Sequence, residues 1–419
     1  MIILVRNARI SDPLSSHHGS VKDILIRDGR IDSISDNINE PADQVIATDG
    51  LHVSPGWVDI FTHGCDPGYE FRETLDTLAA AGAQGGFTHL FLLPNTNPII
   101  QNKSLVEYIS GKKPSVPVSL HPLGAVTRNL EGRDLAEMFD MKQSGAIAFS
   151  DGLNSIQSAG LLIKALQYVR AFDGVLIQVP EDKSIAPNGL VNEGIISTRL
   201  GLQGKPAMAE EIMVARDIKL ARYAESRLHL TGISSARSLE YVKRAKDGGL
   251  MVTCSVTPYH LFFTDDALEG YDTNLKVNLP IRGAEDRDAL LRGIKDGSID
   301  IVTSHHQPQD WDGKVCEFEY AKYGMEGLET LYSVLDTLQV STDRIVELLS
   351  RNPRRIFGLA DAAIKEGTPA DLTLFVPGVP HTYTDKELRS KAKNNAFLGR
   401  PLTGKVTGTI HQSTSYLLK

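Results

Sequence analysis

Alternating apolar and polar residues mark both ends of the chain. Near the start, MIILVRNARI and VKDILIRDGRIDSI alternate in this way and are interrupted by Asp-Pro and Asp-Gly turns. Near the end, ADLTLFVP and TGKVTGTIHQSTSYLLK have the same pattern. A period of two residues is typical of strands with one buried face. The two ends therefore predict strands that meet in one small composite β domain, formed by residues 1–54 and 364–419.

The middle of the chain, residues 55–363, alternates strand-like runs with longer helical patterns. The strand-like runs are GWVDIFT, THLFLLP, VSLHPLGA, GAIAFS, GVLIQVP, RLHLTGIS, LMVTCSV and IDIVTSHH. Eight such runs separated by helices predict an α/β fold of the (β/α)8 barrel type. A doubly wound open sheet is the alternative. No G-x-G-x-x-G follows the first strand, so the dinucleotide-binding form of that sheet has little support.

The segment MAEEIMVARDIKLARYAE is the clearest of the helical patterns. Its apolar residues recur at nearly helical spacing, which predicts one buried face. The residues of this predicted face are Ile212, Ala215, Ile218, Leu220 and Ala221.

Composition and charge exclude several classes of protein. Hydrophobic residues make up 41% of the 419 residues and charged residues 23%, as in ordinary globular proteins. The net charge of −8 does not suggest a nucleic-acid partner. Cys65, Cys254 and Cys316 lack CxxC spacing, which favours a reducing compartment over a disulfide framework or thiolate metal site. With no expected signal peptide and no apolar run near the roughly 18 residues of a membrane span, we expect a cytoplasmic protein.

Several longer motifs occur in a recognisable order. They are PGWVDIFTH, GGFTHLFLLPNTNP, GLVNEGIIS with PAMAEEIMVARDI, VTPYHL, KVNLPIR, GLETLYSVL, RNPRRIFGL, IKEGTPADLTLF and NNAFLGRPLTGKV. Together they resemble the dihydroorotase family of the cyclic amidohydrolases, close to the type found in multifunctional complexes. The resemblance covers nearly the whole chain. It implies a distorted TIM barrel with a β-sandwich built from both termini, in agreement with the hydrophobic pattern.

The resemblance also implies a reaction. Family enzymes interconvert dihydroorotate and N-carbamoyl-aspartate in pyrimidine biosynthesis, using one or two zinc ions. A metal-bound hydroxide attacks the ring carbonyl, and an aspartate at the end of the last strand transfers the proton. The metal is needed because an amide carbonyl is a poor electrophile and neutral water is a poor nucleophile.

The metal-ligand positions of the family are largely changed in this chain. After the first strand the family has His-x-His followed by an arginine that binds the substrate carboxylate. Phe61, His63 and Cys65 stand at these three positions. Phenylalanine cannot coordinate a metal, and a thiol cannot make the two-pronged carboxylate contact of arginine. At the fourth strand, Asp151 matches the position of a carboxylated lysine or an aspartate.

Later strands show the same kind of change. Val179 and Gly232 stand where the fifth and sixth strands of the family supply histidines, and His305 replaces the catalytic aspartate. A catalytic zinc site needs about three protein ligands. With only His63 and Asp151 retained, the resemblance implies that zinc is absent or that at most one ion binds.

The remaining candidate residues have competing interpretations. Asn95 in PNTNP and Asn278 in KVNLPIR match positions that bind substrate in the family. Asn95 also fits a strand-end turn, and Asn278 could serve to satisfy the backbone. His17 and His18, in the polar loop PLSSHHGS, are expected to be exposed to solvent. Packing or surface roles are expected for the histidines without clustered partners in the sequence, which are His52, His89, His121, His260, His381 and His411.

Three functional hypotheses follow from these substitutions. The first is a catalytically impaired or inactive dihydroorotase homologue that acts as a structural partner of a pyrimidine-pathway enzyme such as aspartate transcarbamoylase, or that self-associates as a homodimer. The second is an active mononuclear amidohydrolase on another cyclic amide, with His63, Asp151 and His305 holding one ion. The third is a sensor that binds a ring compound through Asn95 and Asn278. Neither nucleic acid nor a membrane is expected as a partner.

Overall fold

A computed structural model describes residues 1–418 of the chain. Its strands are β1 Ile2–Ile10, β2 Val21–Arg27, β3 Arg30–Ser35, β4 Gln44–Ala47, β5 His52–Pro55, β6 Trp57–Thr62, β7 Phe87–Leu92, β8 Ser119–Gly124, β9 Ala148–Phe149, β10 Val175–Gln178, β11 Val191–Asn192, β12 Gly204–Lys205, β13 Arg227–Leu230, β14 Val252–Val256, β15 Ile301–Val302, β16 Asp371–Thr382, β17 Pro401–His411 and β18 Thr414–Leu417. Its α-helices are α1 Leu75–Gln84, α2 Lys103–Ser110, α3 Met138–Gln143, α4 Ala159–Arg170, α5 Ile195–Leu200, α6 Met208–Ala224, α7 Ala236–Asp247, α8 Pro258–Phe262, α9 Ala284–Asp296, α10 Leu331–Thr337, α11 Thr342–Val346 and α12 Asn352–Phe357.

Eight parallel strands form the central sheet in the order β6-β7-β8-β9-β10-β13-β14-β15. Each strand overlaps one of the eight strand-like runs identified in the sequence, and helices lie between them along the chain. All six residues of β6 are buried, as expected for parallel strands covered on both faces. The structure therefore confirms the predicted (β/α)8 barrel.

The last barrel strand is joined to the first through Asp59, a fully buried residue of β6. Its Oδ1 accepts hydrogen bonds from Thr303 Oγ1 at 2.9 Å and from the Ser304 amide at 2.6 Å. The His63 amide donates to the His306 carbonyl at 2.8 Å beside this contact. These bonds fix the position of the segment that follows β15, where the resemblance places the catalytic residue.

The second sheet combines strands from both termini in the order β18-β17-β16-β5-β1-β2-β3, with β4 paired to β1. Its strands use residues 2–55 and 371–417, and its apolar core includes Ile3, Ile24, Leu372 and Ile410. The predicted β-sandwich built from both termini is therefore confirmed. Lys419, the last residue of the predicted segment, lies outside the described residues.

The predicted buried face of α6 is only partly correct. Ala221 is buried, and Ile218 and Leu220 are partly buried against the core, but Ile212 has 45% of its surface exposed. The face that packs inward also carries two acidic residues, Glu210 and Asp217. Glu210 accepts hydrogen bonds from the Ser234 amide at 3.0 Å and the Ser235 amide at 3.2 Å. The periodicity of apolar residues could not show that a carboxylate would turn inward, because its partners lie 24 residues further along the chain.

Two smaller expectations also have an outcome. The three cysteines are free thiols, and Cys65 and Cys254 are buried. Among residues 1–418, no helix combines the length and the apolar character needed to cross a bilayer.

Candidate active site

Phe61 and Val179 lie in one apolar cluster inside the barrel. Phe61 has no exposed surface and Val179 has 4%. The same cluster contains Phe91, Leu123 and Ile177, which come from neighbouring strands. Two positions at which the resemblance places metal-binding histidines are thus part of the hydrophobic core.

His305 stacks against Phe61 with a distance of 4.3 Å between ring centroids. Its imidazole also occupies the space beside Gly232, since a Cβ atom added there would lie 2.8 Å from His305 Cε1. Gly232 has a φ angle of +76°, which favours glycine in any case. The substitutions at 61, 232 and 305 are therefore sterically complementary, because the histidine ring fills the volume that a side chain at 232 would need.

One ring nitrogen of His305 is bound by a protein group. Nε2 lies 2.8 Å from Thr231 Oγ1, which accepts a hydrogen bond from Ser255 Oγ at 2.8 Å. Ser255 Oγ lies 3.0 Å from Nε2 of His229, which extends this buried chain of hydrogen bonds. Burial lowers the pKa of His305 to about 3, so its imidazole is neutral at pH 7.

His63 is buried beside Cys65, the residue at the position of the substrate-binding arginine. The Cys65 amide donates to His63 Nδ1 at 3.1 Å, and the Cys65 sulfur lies 3.2 Å from the same nitrogen. Burial lowers the pKa of His63 to about 3, and the nearby Arg72 guanidinium acts in the same direction. One imidazole nitrogen is thus already used to hold the loop that follows β6.

His306, the residue after His305, is in the opposite electrostatic state. Its Nε2 lies 3.7 Å from Glu73 Oε2 and its Nδ1 lies 3.6 Å from Glu326 Oε1, with all three side chains fully buried. Burial alone would lower its pKa, but the two carboxylates outweigh that effect and raise the pKa to about 9. The two carboxylates therefore favour the charged form of His306.

Asp151 and Asn95 hold the loops at the end of β8 and β9. Asp151 Oδ1 accepts from the Val126 and Thr127 amides, both at 2.9 Å, and Oδ2 accepts from Thr127 Oγ1 at 2.5 Å. Burial raises the pKa of Asp151 to about 6, although these hydrogen bonds oppose the shift. The Asn95 amide donates to the Asp151 carbonyl at 3.3 Å and accepts from the Leu153 amide at 3.2 Å.

Asn278 belongs to a buried polar cluster that was not foreseen from the sequence. Its Oδ1 accepts from Lys205 Nζ at 2.8 Å, and its Nδ2 donates to Glu181 Oε2 at 2.8 Å. Lys205 and Glu181 form an ion pair whose side chains are 6% and 7% exposed. Glu181 lies in the VPED segment that also contains Val179, but nothing local in the sequence indicates that Lys205 reaches it.

The proposed trio of His63, Asp151 and His305 is not brought together as a ligand group. Within residues 1–418, one set of three His, Cys, Asp or Glu residues has ligand atoms that all lie within 4.8 Å of one another. That set is His89, Asp371 and His411, and His89 comes from the beginning of β7 rather than from a carboxyl end of a barrel strand.

Comparisons with known proteins agree with the fold and identify the family. The family model described as "Dihydro-orotase-like" matches residues 50–238. The dihydroorotase of Pelotomaculum thermopropionicum is 38% identical over 415 residues, which cover 98% of this chain and 97% of the relative. The chain belongs to the dihydroorotase family. A second dihydroorotase, from Caldanaerobacter subterraneus subsp. tengcongensis, is 39% identical over 417 residues and covers 98% of this chain and 96% of its own.

Solved structures of related amidohydrolases share the architecture of this dihydroorotase-family chain. The L-hydantoinase (dihydropyrimidinase) of Arthrobacter aurescens has a TM-score of 0.86 at 25% identity and covers 100% of this chain and 97% of its own. The dihydropyrimidinase of Brevibacillus agri has a TM-score of 0.84 at 19% identity, with 100% and 95% covered.

Amidohydrolases of this type use zinc, but the residues at the family's metal position do not fit a two-zinc centre. Two ligand positions are apolar core residues and a third is a glycine whose side-chain space is filled by His305. His63 Nδ1 and His305 Nε2 have protein partners, and the carboxylate of Asp151 receives three hydrogen bonds. Lys205 adds a positive charge beside Asn278. No catalytic step through a metal at this position can be derived from these donors.

Proposed function

We propose that this chain is a non-catalytic member of the dihydroorotase family that does not interconvert dihydroorotate and N-carbamoyl-aspartate. The observation that carries the proposal is the packing of Phe61, Gly232 and His305 against one another at the family's metal position. A pocket that had lost only one ligand would retain space and free donors. Here the His305 ring fills the volume beside Gly232. His305 Nε2, His63 Nδ1 and both carboxylate oxygens of Asp151 have protein partners.

We further propose that the retained barrel serves as a structural partner of a pyrimidine-pathway enzyme, with aspartate transcarbamoylase as the candidate. Exposed apolar side chains near the mouth of the barrel support this role. Phe71, Trp311 and Val315 are 56%, 71% and 56% exposed, and all three line one cleft of about 390 Å³. Lys314 and Lys391 line the same cleft. Aromatic residues are enriched in protein interfaces, where they contribute much of the binding energy.

The catalytic part of the proposal is tested by assaying both directions of the reaction, with and without added zinc. The dihydroorotase of Pelotomaculum thermopropionicum, at 38% identity, is the positive control in the same buffers. We expect no conversion above the buffer blank. Turnover in the usual enzyme range of about 1 to 10³ s⁻¹ that His305→Ala abolishes would contradict the proposal and would favour the mononuclear hydrolase instead.

The partner role is tested by mixing the full chain with aspartate transcarbamoylase from the same organism and measuring the mass of the assembly by light scattering. Trp311→Ala is expected to weaken the complex at least tenfold, because it removes an exposed aromatic side chain of the cleft. Tyr223→Ala on α6 is the matched control, since Tyr223 is 72% exposed but does not line this cleft. Absence of a complex at micromolar concentrations would refute the partner role and leave the catalytic part standing.

A further inference from the structure

A second cluster of histidines lies where the barrel meets the composite β domain. Asp371 begins β16 and faces His411 near the end of β17, as a directly opposed antiparallel pair. His89 on β7 is directly opposed to Ser119 on β8. The two pairs meet, because His89 contacts Asp371 and Ser119 contacts His411.

The ligand atoms have spacings suited to a metal ion. His89 Nε2 lies 2.9 Å from Asp371 Oδ2, and His411 Nδ1 lies 3.4 Å from Asp371 Oδ1. In a tetrahedral site with zinc bonds of about 2.0–2.1 Å, neighbouring ligand atoms lie about 3.3 Å apart. The spacing between His411 Nδ1 and Asp371 Oδ1 is close to that edge length, and ligand atoms of all three residues lie within 4.8 Å of one another.

Two of these atoms have no hydrogen-bond partner within the described residues. Asp371 Oδ1 and His411 Nδ1 are both buried and form no hydrogen bond, and they lie at an ion-pair distance of 3.4 Å from each other. A buried carboxylate oxygen without a hydrogen bond is destabilising. A cation between the two atoms would satisfy both at once.

The far side of each ligand is fixed by another side chain. His89 Nδ1 lies 2.9 Å from His121 Nε2, and His411 Nε2 lies 3.1 Å from Ser119 Oγ. Arg354 donates to Asp371 Oδ2 at 2.6 Å and leaves Oδ1 free. Metal-binding histidines commonly use their second nitrogen in this way, which fixes the ring and the tautomer.

The cluster lies near the surface of the protein. The side chains of His89, Asp371 and His411 are 10%, 9% and 15% exposed, so the cluster is buried but in contact with solvent.

We propose that His89, Asp371 and His411 form a zinc-binding site at the junction of the barrel and the β domain. His121 and Ser119 act as positioning residues that orient the two imidazoles. The ligand set of two histidines and one carboxylate suits zinc, with water completing the coordination. The site lies apart from the family's metal position, and its role is to tie the β domain to the barrel.

The experiment uses the full chain, stripped with a chelator, incubated with zinc chloride, freed of excess ion and examined by elemental analysis. We expect one zinc ion per chain and a rise in the thermal midpoint on zinc addition, because the ion binds only the folded state. His89→Gln and His411→Gln should each lose both effects. His52→Gln is the matched control, a histidine of β5 outside the cluster, and it should retain both.

Each outcome decides between the zinc site and a metal-free arrangement. Wild-type protein that binds no zinc would overturn the proposal and would identify the cluster as an Asp371 carboxylate held by His89 and Arg354 alone. Zinc that remains bound in both variants would also overturn it. If circular dichroism shows that a variant is unfolded, the visible absorption spectrum of the cobalt-loaded wild type decides instead. Absence of the absorption bands of tetrahedral cobalt would contradict the site. The proposed loss of dihydroorotase activity does not depend on any of these results.

Discussion

Replacement of Phe61 by alanine removes an aromatic ring from the position where the family places a metal ligand. The ring has no exposed surface, lies within the apolar cluster of the barrel interior and stacks on His305 at 4.3 Å. Truncation of a buried phenylalanine to alanine typically destabilises a protein by about 3–5 kcal/mol. The stacking contributes about 0.5–1.5 kcal/mol of this amount. A typical domain has a total stability of about 5–15 kcal/mol, so the loss is large.

The loss can be measured by urea unfolding followed through tryptophan fluorescence. Trp57 is fully buried in β6, the strand that carries Phe61, whereas Trp311 is 71% exposed. A Trp311→Phe background therefore leaves one buried reporter in the relevant strand. We expect Phe61→Ala to lower the free energy of unfolding by about 3–5 kcal/mol without a change in the slope against urea.

The matched control is Phe71→Ala, the same truncation at a position that is 56% exposed. Its effect should stay within about 0.5–1 kcal/mol, as is usual for surface substitutions. If Phe61→Ala were no more destabilising than this control, Phe61 would not be a packed core residue. The family's metal position would then not be filled by packed side chains.

Three further predictions concern the surroundings of the same site. Gly232→Ala should destabilise the protein by about 1–3 kcal/mol more than Gly249→Ala in urea titrations. The two glycines have φ angles of +76° and +75°, but only a Cβ at 232 would meet His305. Equal losses in the free energy of unfolding would count against this contact. Lys205→Met should cost about 3–5 kcal/mol by leaving Glu181 buried without its partner, whereas Lys243→Met, in an exposed ion pair, should cost less than about 1 kcal/mol; similar values would contradict a buried pair. The free energy of unfolding should fall as the pH drops from 6.5 towards 3, by about 1.4 kcal/mol per pH unit for each neutral buried histidine that takes up a proton on unfolding. A urea midpoint independent of pH in this range would argue against burial of His63, His229 and His305.

The sign of the pH effect follows from the direction of the pKa shifts. These three histidines have folded pKa values of about 3, below the ordinary value of 6.5. The unfolded chain therefore binds more protons than the folded one between pH 3 and 6.5. Their contribution to stability is fully present above pH 6.5 and is lost progressively below it.

The fold could be predicted from the sequence because its signals are local. The eight barrel strands are short apolar runs bounded by turns, and the strands of the terminal β domain alternate with a period of two. The error in the predicted buried face of α6 also has a physical cause. Glu210 turns inward because Ser234, Ser235 and Arg282 bind its carboxylate in the interior. None of these partners is near Glu210 in the sequence.

The substituted positions of the site could be identified only through the resemblance, and their mutual packing could not be foreseen. The contact of His305 with Phe61 joins residues 244 positions apart in the chain. The ion pair between Lys205 and Glu181 could not be foreseen either, because it depends on how the segments between the barrel strands fold. His89 and His411 were expected to have packing or surface roles because the register that unites them with Asp371 arises only when the two sheets meet.

The central claim is that the family's metal position has become part of the packed interior. The most direct measurement is an anomalous difference map at the zinc absorption edge, from crystals of the full chain grown with zinc. We expect no peak within zinc-bonding distance, about 2.0–2.2 Å, of a nitrogen or oxygen of His63, Asp151 or His305. A fully occupied peak bound to any two of these residues would contradict it.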